Sequence, residues 1–191
     1  MKKILALMLL AGMLLTVTGC FGGDEHTEHT WIDANCQSPK KCSVCGVTEG
    51  ELGDHSTKLG TCVHCNTYQN KDTFDSISDK VTSISTALKP AYDLIVEKTT
   101  AYPNDEFVYA ALVNTAAPTF DNEKANLEEL VELCADYTEL ADFKAKIESA
   151  IQYHPTNTTE TDLESTKAYL TNAKLCYMYV LEAASLLQNI T

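Results

Sequence analysis

HTWIDANCQSPKKCSVCGVTEGELGDHSTKLGTCVHC, residues 29–65, decides how this chain is divided. Five of the eight cysteines and three of the five histidines fall in it. Most of them form a spaced series, His29-x6-Cys36-x5-Cys42-x2-Cys45-x9-His55-x6-Cys62-x2-Cys65. The inner frame, Cys42-x2-Cys45-x16-Cys62-x2-Cys65, has the spacing of a four-thiolate zinc site. A two-residue gap lets one tight turn aim both sulfurs at one ion. Gly46 stands where such a turn often needs a residue without a side chain.

The spacing leaves three ligand arrangements open. In the expected one, Cys42, Cys45, Cys62 and Cys65 surround one zinc, and His29, Cys36 and His55 form a second cluster. A Cys3His site from Cys36, Cys42, Cys45 and His55 is the next. The third builds two sites by adding His26 or His29. Disulfides compete with all three, because cysteines of exported chains usually pair. Against them stands the odd number in the stretch, and a Cys-x2-Cys pair more often marks a metal or redox turn. No thioredoxin-like βαβ pattern surrounds either pair. The apolar stock of the module is only Trp31, Ile32, Val44, Val47, Leu52, Leu59 and Val63. So small a stock leaves stability to ligation. A structural zinc with every position filled by protein has no place for a catalytic water, so the module reads as a scaffold.

The stretch also repeats itself: His29-x6-Cys36 recurs as His55-x6-Cys62, 26 residues on. The first copy, residues 29–50, resembles a Cys/His repeat found, often in tandem, in surface proteins and lipoproteins of Gram-positive bacteria. The resemblance covers about 40 of the 191 residues and implies a zinc-ribbon-like element rather than an activity. The second copy departs from it, lacking a Trp after His55 and the segment between the first Cys and the pair.

Upstream, Lys2 and Lys3 precede a short apolar run, Ile4 to Leu15, that reads as a signal peptide. It ends in Val17-Thr18-Gly19-Cys20, which resembles the lipobox of bacterial lipoproteins. That resemblance implies cleavage after Gly19 and acylation of Cys20, hence an extracytoplasmic chain anchored to the cell membrane by its lipid. Residues 1–19 are then the signal, 20–28 a tether carrying the lipidated Cys, 29–70 the Cys/His module and 72–191 a helical bundle.

The chain has 14 lysines, no arginine and 27 acids, a formal charge of −13. Without residues 1–19, which hold two lysines and no acid, the balance is 12 against 27, or −15. Such a surface repels nucleic acid and anionic headgroups, and the absence of arginine removes the side chain best suited to bidentate phosphate recognition.

From about Asp72, helix formers dominate. Phe74, Ile77, Val81, Ile84, Leu88, Ala91 and Ile95 recur at spacings of three and four, one helix face ending near Thr99. Pro90 is expected to kink or split it near Leu88. After Tyr102-Pro103, Asn104 is the expected cap of a short helix, Glu106 to Thr115, with Phe107, Val108, Ala111 and Leu112 inward. Pro118 ends that stretch, and Asp121 caps a long helix to about Tyr153. Thr161-x-x-Glu164 resembles a capping box for a last helix reaching about Leu187. The predicted fold is mainly α: a small zinc-ribbon-like module, then an antiparallel bundle of three long helices and one short. Cys134 and Cys176 lie about 20 residues on either side of the turn near Asn157, at nearly equal heights in a hairpin, and are a candidate disulfide. Glu128, Glu129, Glu132, Asp136 and Glu139 read as a solvated acidic face.

No paired Glu-x-x-His, His-Glu-x-x-His, Gly-x-Ser-x-Gly or phosphate-cradling glycine loop is present, so no catalysis is expected. The expectation is a surface lipoprotein with a structural zinc module and a bundle for protein or envelope contacts. The competing expectation is a lipoprotein that buffers zinc or hands it to a transporter.

Overall fold

The computed structural model describes residues 28–156 and 162–190. The signal segment, Cys20, His26 and Thr161 lie outside them. Two small sheets come first. β1 (Trp31–Ile32), β2 (Pro39–Cys42) and β3 (Thr48–Leu52) form an antiparallel sheet in the order β1-β2-β3, with Trp31 opposite Cys42 and Lys41 opposite Thr48. β4 (Gly60–Thr61) and β5 (Tyr68–Gln69) pair antiparallel. Four helices follow: α1 (Lys71–Ala101), α2 (Glu106–Leu133), α3 (Ala141–Gln152) and α4 (Leu163–Leu187). The chain is mainly helical with a small Cys/His-rich strand region.

α1 buries Ile77, Val81, Ile84, Leu88, Ala91 and Ile95, the face read from the sequence. α2 and α4 pack on it, and α3 packs on α2 and α4. The bundle core runs through Phe120, Leu127 and Leu130 of α2, Phe143 and Ile147 of α3, and Leu170, Ala173, Cys176 and Val180 of α4.

The expected helix breaks are corrected. Pro90 lies inside α1 and Pro118 inside α2, and neither ends its helix. Each proline removes one N–H bond, to Thr86 and Asn114 respectively. All four residues are exposed, so water can satisfy the released carbonyls. Buried side chains flank Pro118 on both sides, with Leu112, Val113, Ala116 and Ala117 before it and Phe120 after. Packing therefore outweighs the local penalty of about 3 kcal/mol. Continuing the helix also sets its face, burying Tyr109, Leu112 and Val113 and leaving Phe107 at 89% exposure rather than inward.

The break falls instead at Cys134–Tyr137, followed by a 3-10 turn at Thr138–Leu140. No Gly or Pro marks it. The turn carries Leu140 into the core and re-aims the chain for Phe143 and Ile147. Two caps also shift by a residue. Asp105, not Asn104, caps α2, accepting from the Val108 N–H at 3.1 Å. Asp162 caps α4, accepting from the Glu164 and Ser165 N–H groups.

Cys134 and Cys176 are free thiols, not the candidate disulfide. Their equal heights presumed one helix from Asp121 to Tyr153, whereas the helix is interrupted beside Cys134. Both are buried, and burial pushes them up, to about 11 and about 12. Among the described residues no helix is long and apolar enough to cross a membrane.

Pro118→Ala restores the missing bond to Asn114 without touching the buried face. It is expected to stabilise the bundle by about 1–3 kcal/mol in urea unfolding. A loss of stability would mean that α2 needs the distortion proline imposes.

Candidate metal centre

Each Cys-x2-Cys pair sits in the same backbone turn. In the first, the Gly46 N–H donates to the Cys42 carbonyl at 3.0 Å and the Cys42 N–H to the Val47 carbonyl at 2.8 Å. In the second, the Asn66 N–H donates to Cys62 at 2.8 Å and the Cys62 N–H to Thr67 at 3.0 Å. The turn requires a left-handed residue after the second cysteine. Gly46 supplies it at φ 75° and Asn66 at φ 55°, asparagine being the side chain that tolerates this region best.

The structure does not bring the two pairs to one ion. It forms one cluster from Cys36, His55, Cys62 and Cys65, and another from His29, Cys42 and Cys45. Within each, the ligand atoms lie within 4.8 Å of one another. In the first, the Cys36 and Cys62 sulfurs are 3.6 Å apart and Cys65 Sγ is 3.4 Å from His55 Nδ1. In the second, Cys45 Sγ is 3.6 Å from His29 Nδ1. The described cysteines form no disulfide, and 3.6 Å is far beyond the roughly 2.05 Å of one. Either group can hold a metal ion. All seven candidate ligands read from the sequence fall in these two groups, but not in the expected four-thiolate grouping.

The exchange of partners comes from Cys36. The Gly53 N–H donates to the Asn35 carbonyl at 2.9 Å, drawing the turn after β1 against the end of β3. A Cβ at Gly53 would meet the Ala34 carbonyl oxygen at 2.6 Å, so only glycine permits this approach. The Asn35 side chain closes the turn from within, accepting from the Gln37 and Ser38 N–H groups. Cys36 is thereby delivered to the second knuckle, while β1 and the Ser43 hydroxyl, which donates to the Thr30 carbonyl at 3.0 Å, hold His29 over the first. His29 also packs on Trp31, whose ring lies under Lys40 Nζ.

The four-ligand cluster is prepared for a cation. The Ser56 hydroxyl donates to Cys62 Sγ at 3.4 Å and is itself held by the Val63 N–H, and this bond is the main reason the Cys62 thiol is held well down. Hydrogen bonds from Thr67 lower Cys65. The contact with Cys62 raises His55. Burial first, then the neighbouring Cys62 and Cys65 sulfurs, push Cys36 up. Two thiols that ionise easily beside a third that resists a further negative charge describe a site whose protons an ion displaces.

The second knuckle is bolted to the bundle. Leu59, 1% exposed, enters the bundle core. Glu139 Oε1 accepts from the Thr57 hydroxyl, the Lys58 N–H at 2.8 Å and the Leu59 N–H at 3.4 Å. The Tyr68 hydroxyl donates to the Ile190 carbonyl at 3.3 Å, and its ring meets Phe74 edge-on. The Asn70 amide, at the entry to α1, donates to the Lys58 carbonyl at 2.7 Å. Sequence reading placed Glu139 on a solvated acidic face. No local signal could correct that, since its partners lie about 80 residues away. Ser56 and Thr67 were equally silent, but Asn66 was legible by aligning Cys45-Gly46 with Cys65-Asn66.

Burial is the largest influence on the Glu139 carboxyl and would raise it. The donors from Thr57, from its own backbone and from Lys58 and Leu59 together win and hold it at about 2. That is below the ordinary glutamate value of about 4.3, so docking contributes fully above that pH and fades as pH falls toward the folded value. The stability advantage of the protein over Glu139→Gln is therefore expected to be constant above about pH 5 and to shrink between about pH 4 and pH 2. An advantage independent of pH in urea unfolding would refute the clamp.

Comparison of the chain with protein-family models, with curated proteins and with solved structures finds no match, so the functional reading rests on these sites.

Proposed function

We propose that this chain is an extracytoplasmic lipoprotein, anchored through Cys20, whose Cys/His module binds zinc structurally. The module seats itself on a helical bundle that makes protein or cell-envelope contacts, and the chain is not an enzyme. The observation that carries the reading is the convergence of Cys36, His55, Cys62 and Cys65. Zinc takes sulfur at about 2.3 Å and nitrogen at about 2.0–2.1 Å, so a tetrahedron has edges of about 3.8 Å between sulfurs and about 3.6 Å between sulfur and nitrogen. The separations of 3.6 Å and 3.4 Å are close to those edges. Two thiolates, a third thiol and an imidazole suit a borderline-soft tetrahedral cation rather than magnesium or calcium. Four protein ligands fill a tetrahedron, which supports a structural role over a catalytic one.

The anchor and the address rest on Val17-Thr18-Gly19-Cys20. The bundle as a contact surface rests on the strong negative charge and on the lack of a catalytic motif in the sequence. A zinc buffer or donor is the second reading, favoured by the exposure of His29 and Cys45.

The full chain, purified in detergent under reducing and chelator-free conditions, is expected to carry tightly held zinc and to release reactive thiols when a chelator removes it. Absence of zinc, with few thiols reactive under denaturing conditions, would make the module a disulfide knot and end this reading.

A further inference from the structure

We propose that the module holds two metal ions of unequal lability: one locked by the bundle at Cys36, His55, Cys62 and Cys65, and one exchangeable at His29, Cys42 and Cys45. This rests on the metal reading above and adds a division of labour to it. A chelator strips a thiolate site stepwise, one ligand swinging away before the next. The ion leaves as a divalent cation with no change of oxidation state, and the released thiolates take up protons from water. The rate then depends on how freely the ligands can swing.

At the first site three of the four ligands, His55, Cys62 and Cys65, cannot swing freely. His55 and Cys62 are the two ends of one loop, and its middle, Thr57 to Leu59, is fixed to the bundle. Moving either end strains three hydrogen bonds to Glu139 and the seat of Leu59 in the core. Cys65 is held from the other side, since β5 follows it directly, with Tyr68 on Ile190 and Phe74 before α1 begins at Lys71. At the second site His29 and Cys45 are exposed and Cys42 alone is buried. Their platform is the three-stranded sheet, whose β3 is exposed along its whole length. The bonds that shape it, from the Ser43 hydroxyl to the Thr30 carbonyl and from the Gly53 N–H to the Asn35 carbonyl, lie within the module. The second site thus suits exchange of a zinc-class cation with an acceptor of thiol or imidazole chemistry, and the first suits permanent retention.

The test is the time course of zinc release from the zinc-loaded full chain into excess chromophoric chelator. Two zinc ions per chain are expected, leaving in two phases of equal amplitude, the slow one at least about tenfold slower because of its docked loop. Cys45→Ser should remove the fast phase. Glu139→Ala touches no ligand, and it should accelerate the slow phase and leave the fast one unchanged. One zinc per chain, a single phase for both ions, or a slow phase indifferent to Glu139→Ala would each overturn the proposal while leaving a zinc module in place. A chain that binds no zinc would overturn the metal reading as well.

Discussion

The double variant Cys45→Ser/Cys62→Ser, which takes one ligand from each cluster, is expected to unfold the Cys/His module and leave the four helices folded. The module has little else to hold it. Val63 is 80% exposed, Val44 69%, Leu52 59% and Ile32 56%, so of its large aliphatic side chains only Leu59 is fully buried, and that one is buried in the bundle. Ligation in small structural zinc domains is worth about 10–16 kcal/mol, far more than such sheets can supply from packing. Serine keeps the size of cysteine but is a poor ligand, and at position 62 it also strands the Ser56 hydroxyl that donates to the sulfur. The bundle should lose only what the module gives it, the Leu59 side chain, the Glu139 bonds and the Tyr68 contacts with Ile190 and Phe74, a cost of about 2–5 kcal/mol. Amide exchange separates the two bodies. Protection in β2 and β3 should vanish, the helical far-ultraviolet signal should stay within a few per cent of the unmodified chain, and the melting temperature should fall. Persistent protection at Thr48–Leu52 would mean that the strands fold without ligation.

Legibility in the sequence followed the range of the interactions. The seven ligands were readable because metal chemistry fixes residue type and spacing locally. Their partition was not, because Cys36 reaches the second cluster only through the approach of Asn35 to Gly53, a backbone contact that spacing does not encode. The core face of α1 was readable from its three-and-four rhythm. Several helix ends were readable to within one or two residues, both where a side chain caps them, as at Asp105, and where none does, as at Lys71, Gln152 and Leu187. The prolines misled because a proline on the solvent face forfeits a bond that water can replace. The actual break at Cys134–Tyr137 has no local signature and is set by the need to bring Leu140 and Phe143 into one core. In the sequence Glu139 is one carboxylate among five, since only the folded chain places Thr57, Lys58 and Leu59 against it.

Phe120→Ala is expected to destabilise the bundle by about 3–5 kcal/mol, the range for emptying an aromatic site in a packed core. Phe120 is fully buried and is among the largest side chains of the core. It lies two residues beyond Pro118, on the part of α2 that exists only because the helix runs through the proline. Its surroundings leave little room to collapse. His154, itself 8% exposed, meets the ring edge-on at 6.4 Å, and its Nε2 is 2.9 Å from the Phe120 carbonyl. That carbonyl can only accept, so Nε2 carries the proton and the imidazole ties the end of α3 to the middle of α2. Alanine keeps the carbonyl but removes the ring against which the imidazole packs. Phe120→Leu refills most of the volume and should recover more than half of the loss. Urea unfolding of the three proteins at neutral pH measures the series. If instead α2 ended near Thr115, Phe120 would sit in a connecting loop, and Phe120→Ala would cost no more than about 0.5 kcal/mol, as surface substitutions do.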